Sequence, residues 1–165
     1  PGEGWPDELL RCFSQEQLAA ATLGGEELER HYREVLDATA PLREEVSRSF
    51  EQYGGPWIEN WWIDQLCCNR SRDKALFGRF VPLFVRWVDH QVGSGCMPFG
   101  ALPRRVAATM RRVLRRDVLY AAVTQHDDGV GMLREFPNVL TFSAGGVGHV
   151  PIPLLRGERR PAPGG

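Results

Sequence analysis

Residues 73–92 read DKALFGRFVPLFVRWVDHQV, and this stretch decides the predicted fold. Its apolar side chains recur at steps of one, three and four residues, which is the spacing of an α-helix with a wide apolar face. Arg79, Arg86 and the polar end interrupt a run that is shorter than the roughly 20 apolar residues of a membrane span. Pro82 would bend such a helix near Gly78. We therefore predict a central hydrophobic helix that is buried in an all-α helical bundle.

Shorter amphipathic segments surround this central segment. Asp7 is a candidate cap for a short first helix, and Ser14 with Gln17 has the form of a capping box that starts the next one. Apolar spacing, together with the glycines and prolines between segments, predicts where the other helices begin and end. The predicted helical ranges are 15–38 apart from Gly24 and Gly25, 42–53, a helix that Pro56 opens, and 103–122.

The C-terminal part of the chain has a different character. The sequence NVLTF at residues 138–142 predicts a strand or an extended tail. At 165 residues the chain is long enough for one domain with a substantial core. We therefore predict one helical domain over residues 1–137 and a C-terminal extension over residues 138–165.

Charge is distributed unevenly along a chain whose formal net charge is only −1. Residues 1–60 carry 13 acidic and 5 basic residues, whereas residues 61–125 carry 4 acidic and 11 basic ones. Six arginines lie on one face of the predicted helix 103–122, at positions 104, 105, 111, 112, 115 and 116. Because no aromatic residues alternate with them, we expect a solvated face and consider nucleic acid an improbable partner.

No pattern of catalytic or metal-binding residues occurs in the sequence. The four cysteines show no CxxC spacing, which argues against a zinc site. His126, Asp127 and Asp128 are adjacent, so they cannot converge on a substrate as a triad does, and they predict a turn. Residues 143–148, SAGGVG, lack the following helix that a phosphate-binding loop requires. We therefore expect a protein that is not an enzyme and has no cofactor and no metal.

Three segments resemble the Bcl-2 family of apoptosis regulators in their order and spacing. Residues 25–34, GEELERHYRE, stand in the place of the family's third homology region. Residues 76–79, LFGR, are similar to the Asn-Trp-Gly-Arg of the first region, which begins the family's central helix. Residues 125–133 are similar to the second region. The resemblance covers roughly residues 15–136 and implies the all-α Bcl-2-like fold.

The resemblance also implies a function, which is to bind the BH3 helices of pro-apoptotic partners and so inhibit mitochondrial cell death. An amphipathic helix would enter a hydrophobic groove, and Arg79 would pair with its aspartate. The location implied is the cytoplasm, with association with the mitochondrial outer membrane. The groove residues that the resemblance implies are Leu28, Tyr32, Phe50, Leu66, Leu76, Gly78, Arg79, Val81 and Phe84.

Departures from the family pattern leave several alternatives open. Ala21 stands where the family usually has Leu, Glu26 where it has Asp, and Phe77 where it has Trp. Such departures suggest a viral or otherwise distant member. One alternative is a pro-apoptotic member of the family, and another is a helical adaptor or nucleic-acid-binding module that uses the arginine face. A homodimer and a peripheral membrane contact are also compatible with the sequence.

Overall fold

The computed structural model describes residues 7–43, 57–67, 76–93, 103–126, 129–145 and 148–153. The helices that lie wholly within these ranges are α1 (Gln15–Ala20), α2 (Gly25–Thr39), α3 (Trp57–Trp62), α4 (Trp87–Gly93) and α5 (Arg104–Val113). The strands are β1 (Phe80–Leu83), β2 (Leu119–Thr124), β3 (Val139–Ser143) and β4 (Val150–Pro151). Short 3₁₀ turns lie at Asp7–Cys12, Ala40–Leu42 and Gly131–Glu135, and a π-helical turn at Ile63–Cys67 follows α3.

The four strands form one parallel sheet in the order β1-β2-β3-β4. Tyr120 lies between Val81 on β1 and Val139 on β3, and this register continues along the three longer strands. Parallel strands need a connection that crosses over one face of the sheet. α4 and α5 form the crossover from β1 to β2, and the Gly131–Glu135 turn lies in the crossover from β2 to β3.

Both faces of the sheet are covered, and each has its own apolar cluster. Side chains alternate along the strands, so Val81 and Tyr120 point to the first face, and Phe80 and Leu119 point to the second. α2, α5 and the Gly131–Glu135 turn pack on the first face. The Asp7–Cys12 turn, α1 and α3 pack on the second. The described residues therefore form three layers, with a buried parallel sheet in the middle.

The predicted all-α bundle is wrong, and the error lies in the stretch from which the prediction started. Residues 80–83 form β1 and pair with β2, and helical structure resumes only at Trp87. A parallel strand buried on both faces reads as a continuous apolar run, which a buried helix also produces. The aromatic and β-branched residues of FVPLFV favour a strand. Gly78 has a φ of 54°, which places a turn before β1 rather than a bend in a helix.

Other predicted elements have mixed outcomes. The capping box at Ser14 and Gln17 is confirmed, since each side chain accepts a hydrogen bond from the other residue's backbone N–H. α2 and α3 agree with the predicted helices in those regions. The predicted helix 103–122 ends at Val113, and its residues 119–122 belong to β2 instead. The strand alternative for NVLTF is confirmed as β3.

Two further predictions concern the helix 42–53 and the boundary between residues 137 and 138. Most of the predicted helix 42–53 lies outside the described residues. β3 and β4 lie within the predicted C-terminal extension, and β3 pairs with β2 in the central sheet. The proposed boundary between residues 137 and 138 itself stays a prediction.

We predict that Gly148→Ala detaches β4 from β3. A Cβ atom on Gly148 would lie 2.9 Å from both Thr141 O and Ser143 Cβ, and neither backbone-anchored atom moves easily. The pairing includes a hydrogen bond of 2.9 Å from His149 N to Thr141 O, so the His149 amide should exchange with solvent much faster in the variant. Gly24→Ala is the control, because its Cβ would meet nothing within 4 Å. Unchanged exchange at His149 in Gly148→Ala would contradict this close approach.

We expect Tyr120→Phe to lower the free energy of unfolding by about 1–3 kcal/mol. The Tyr120 hydroxyl accepts a hydrogen bond from Arg115 N at 2.8 Å and lies 2.7 Å from His31 Nε2 on α2. Loss of the hydroxyl leaves His31 Nε2 and Arg115 N without this partner, where α2 packs against β2. Urea denaturation measures the change. A difference within about 0.5 kcal/mol, the scale of a surface substitution, would contradict the expected role of this hydroxyl.

Candidate functional site

All four strands end at the same edge of the sheet because they are parallel. In open α/β sheets, ligands bind outside the carboxyl ends of the strands, at a point where the strand order reverses. The order β1-β2-β3-β4 of the described strands contains no such reversal, so the rule indicates this edge but no particular crevice along it. Here those ends are Leu83, Thr124 and Ser143 of the three longer strands. We call this region the carboxyl edge, and it also contains the first turns of α3 and α4.

The buried carboxyl group of Glu59 joins three segments at the carboxyl edge. Glu59 belongs to α3 and is 0% exposed. Its Oε1 accepts a hydrogen bond of 3.0 Å from Gln125 N, directly after β2, and its Oε2 accepts one of 3.1 Å from Val88 N, at the start of α4. One side chain therefore fixes the segments that follow β1 and β2 relative to α3.

Burial raises the pKa of the Glu59 carboxyl from 4.5 to about 8. Hydrogen bonds from the N–H groups of Gln125 and Val88 and from the Thr124 side chain lower the pKa by smaller amounts, and the nearby Asp89 raises it. At neutral pH the carboxyl is therefore mostly protonated. A neutral carboxyl can join the segments without the cost of a buried charge.

Gln125 and His126 follow β2, and both are half-buried. Gln125 Oε1 accepts a hydrogen bond of 2.8 Å from Ile58 N, so the first turn of α3 is held against the end of β2. His126 N donates to Thr124 Oγ1 at 3.2 Å. Gly129 N donates to His126 O at 2.9 Å. The predicted turn at residues 126–129 includes Asp127 and Asp128, which lie outside the described residues, so it stays a prediction.

The segment after β1 contributes a charged pair and two buried polar side chains. Arg86 Nη1 lies 3.9 Å from Asp89 Oδ2 and 2.5 Å from Asn60 Oδ1. Trp87 Nε1 and the amide group of Gln91 are buried and have no hydrogen-bond partner among the described residues.

A cavity of about 330 Å³ lies at the opposite end of β1, between α2 and the chain that enters the strand. Its apolar lining consists of Leu28, Tyr32, Leu36, Phe77, Phe80 and Val81. Glu29, Arg33 and Asp37 of α2 line it as well. We call it the α2–β1 cavity. The buried Glu59 carboxyl and its hydrogen bonds lie at the carboxyl edge, so we assign the main site to that edge.

The structure places the predicted groove residues in different regions. Leu28, Tyr32, Gly78 and Val81 line the α2–β1 cavity. Phe84 is 0% exposed, and Leu66 and Leu76 pack with it in the apolar cluster on the second face. Arg79 Nη2 donates to Ala21 O at 3.0 Å. Phe50 lies outside the described residues.

The arginine face is partly engaged in ion pairs. Arg111 forms a two-point pair with Glu135 at 3.0 Å, and Arg115 pairs with Asp117 at 2.6 Å. Arg104, Arg105 and Arg112 are exposed on α5. This arrangement is that of a solvated helix face with local acidic partners.

Sequence reasoning missed Glu59 and set His126 aside. The signal for Glu59 was a single acidic residue inside the apolar run WIENWW, where a carboxyl is either exposed or buried with partners. His126 was interpreted only as part of a turn. Without the parallel sheet, nothing in the sequence indicated that this turn lies beside residues of α3 and α4.

Comparison of the chain with protein-family models, with curated proteins and with solved structures found no match. None of the described helices is long and apolar enough to cross a membrane. Within the same part of the chain, no group of three or more His, Cys, Asp or Glu side chains could hold a metal ion. The class of protein defined by the geometry is a three-layer α/β domain with a parallel sheet.

Proposed function

We propose that this domain binds a small, uncharged, hydrogen-bonding molecule such as a sugar or polyol at the carboxyl edge. The single observation that supports this most strongly is the Glu59 carboxyl, which holds the segments after β1 and β2 at 3.1 and 3.0 Å. A preorganised edge binds a ligand without having to order its own loops first. Gln125 and His126 directly follow β2 and are half-buried, so we expect the ligand to contact them.

The chemistry of the edge favours an uncharged ligand. At or directly after the ends of β2 and β3, the side chains of Thr124, Gln125 and Ser143 are uncharged. The cationic Arg86 is already engaged with Asp89 and Asn60. Phosphorylated ligands therefore fit this edge less well than neutral ones.

An NMR titration of the full chain with monosaccharides and polyols tests this function. Sugar phosphates and nucleotides serve as charged comparators. We expect neutral compounds to shift the amide signals of Gln125, His126 and Ala144, and His126→Ala to weaken binding about fivefold, the scale of one lost hydrogen bond. Gln15→Ala, an exposed substitution on α1, should leave the affinity unchanged.

Two results would contradict the proposal. One is the absence of shifts at the carboxyl edge with every neutral compound up to high millimolar concentration. The other is a consistent preference for the phosphorylated comparators, because the edge would then recognise the charge of a ligand rather than its neutral hydrogen-bonding groups.

Binding of BH3 helices stays a prediction. The all-helical groove that the resemblance implied is replaced by a parallel sheet, and Arg79 donates to the Ala21 carbonyl. In its favour, Leu28, Tyr32, Gly78 and Val81 line one cavity, where an amphipathic helix could place an apolar side chain. Titration with BH3 peptides at low and high salt tests it, and an absence of binding at both would exclude this function.

A further inference from the structure

The α2–β1 cavity combines an apolar wall with a charged stripe, and both come from the same helix. Leu28, Tyr32 and Leu36 recur every four residues on α2 and form the apolar wall. Glu29, Arg33 and Asp37 follow each of them by one residue and form the charged stripe. Because i and i+4 residues lie one above the other on a helix, the two stripes run side by side along the cavity.

The charged stripe has one carboxylate without an ionic partner. Arg33 Nη2 lies 3.2 Å from Glu29 Oε1, so these two charges neutralise each other. Asp37 is exposed and makes no ion pair with any residue that the structure describes. The net charge along the stripe is therefore −1, and it is located at Asp37.

Two nearby arginines are held by backbone carbonyls. Arg43 Nη1 donates to Leu36 O at 2.9 Å and to Thr39 Oγ1 at 3.1 Å. Arg79 Nη2 donates to Ala21 O at 3.0 Å. Neither guanidinium forms an ion pair with Asp37, and no other cation does so within the part of the chain that the structure describes.

We propose that the α2–β1 cavity binds a small amphiphilic cation. Its apolar body would lie against Leu28, Tyr32 and Val81, and its ammonium group would pair with Asp37. The volume of about 330 Å³ is at the lower end of the range for small-molecule sites. The site lies at the amino end of β1, so it is separate from the carboxyl edge and independent of the function proposed there.

Three probes with the same aromatic body and different polar ends test this proposal. They are 2-phenylethylammonium, 2-phenylethanol and 3-phenylpropionate, each titrated calorimetrically into the full chain. We expect the ammonium to bind about fivefold more tightly than the alcohol, which is about 1 kcal/mol. The carboxylate should bind most weakly. Higher salt should reduce the difference, because it screens the ion pair.

Asp37→Asn is the decisive variant, since an exposed substitution of equal size leaves the fold intact. In this variant the ammonium and the alcohol should bind within twofold of each other. Glu16→Gln, which removes an exposed carboxylate on α1, should keep the fivefold preference. An unchanged preference in Asp37→Asn, equal binding of all three probes to the unmodified chain, or binding of none of them would overturn the proposal.

Discussion

Glu59→Ala is expected to lower the free energy of unfolding by about 2–6 kcal/mol at pH 6, because two N–H groups, one buried and one partly buried, each lose an acceptor at a cost of about 1–3 kcal/mol. Those groups belong to Val88 and Gln125, which lie 3.1 and 3.0 Å from the carboxyl oxygens. Urea denaturation followed by circular dichroism measures the loss. Amide exchange at Val88 and Gln125 should accelerate more than exchange in the middle of β2, which locates the effect at the carboxyl edge.

Glu59→Gln is the matched control, because it keeps the size and neutrality of the protonated side chain. The amide oxygen can accept one of the two hydrogen bonds, whereas the NH₂ group cannot accept the other. The expected loss is therefore about 1–3 kcal/mol, smaller than that of Glu59→Ala. If both variants were as stable as the unmodified chain, Glu59 would not join the three segments.

The raised pKa of Glu59 also predicts how stability depends on pH. The folded protein holds the Glu59 proton more tightly than the unfolded chain does, since burial raises the pKa from 4.5 to about 8. The stability contributed by the proton is complete below pH 4.5 and is lost as the pH rises to about 8. At 1.36 kcal/mol per pH unit this contribution is at most about 5 kcal/mol. Glu59→Gln should show a correspondingly flatter pH profile over this range.

The second large effect is expected at Trp62, where substitution by alanine should cost about 3–5 kcal/mol. Trp62 is 5% exposed and packs against Phe77 and Phe84, with ring centroids 5.4 and 5.5 Å away. Its Nε1 donates to Leu83 O at the end of β1, at 3.4 Å. The side chain thus attaches α3 to β1 over the second face of the sheet.

The neighbouring Trp61 provides the control, since it has the same side chain and is 54% exposed. We expect Trp61→Ala to change the free energy of unfolding by no more than about 0.5 kcal/mol. Urea denaturation of both variants should give similar slopes, because neither changes the overall surface that unfolding exposes. Equal losses for the two variants would contradict the placement of α3 on the sheet.

Local signals in the sequence were sufficient where neighbouring residues decide the structure. Ser14 and Gln17 form a cap within one turn of chain, so their pattern could be interpreted without the rest of the fold. The residues 80–85, FVPLFV, could not be interpreted in that way. A strand buried on both faces and a buried helix give the same apolar run, and the choice depends on β2, which lies nearly forty residues further along the chain.

The candidate site was also hard to predict from the sequence, because it depends on residues that are distant from one another in the chain. Glu59, Val88 and Gln125 are far apart in sequence, and only the parallel pairing of β1 with β2 brings them together. A family resemblance selected the four predicted groove residues that line the α2–β1 cavity. Their position does not identify the molecule that the cavity binds. Spacing along the helix indicated that Leu28 and Tyr32 are neighbours. Val81 lies in the same apolar cluster because α2 packs on the sheet that contains β1.

Glu59 is the buried, neutral carboxyl that fixes the carboxyl edge. Carbon-13 NMR of the side-chain carboxyl, assigned by comparison with Glu59→Gln, measures its titration directly between pH 4 and pH 9. We predict a midpoint near pH 8, together with pH-dependent shifts of the Val88 and Gln125 amides at the same midpoint. A midpoint near 4.5, the ordinary value for glutamate, would show a solvated carboxylate and contradict the account.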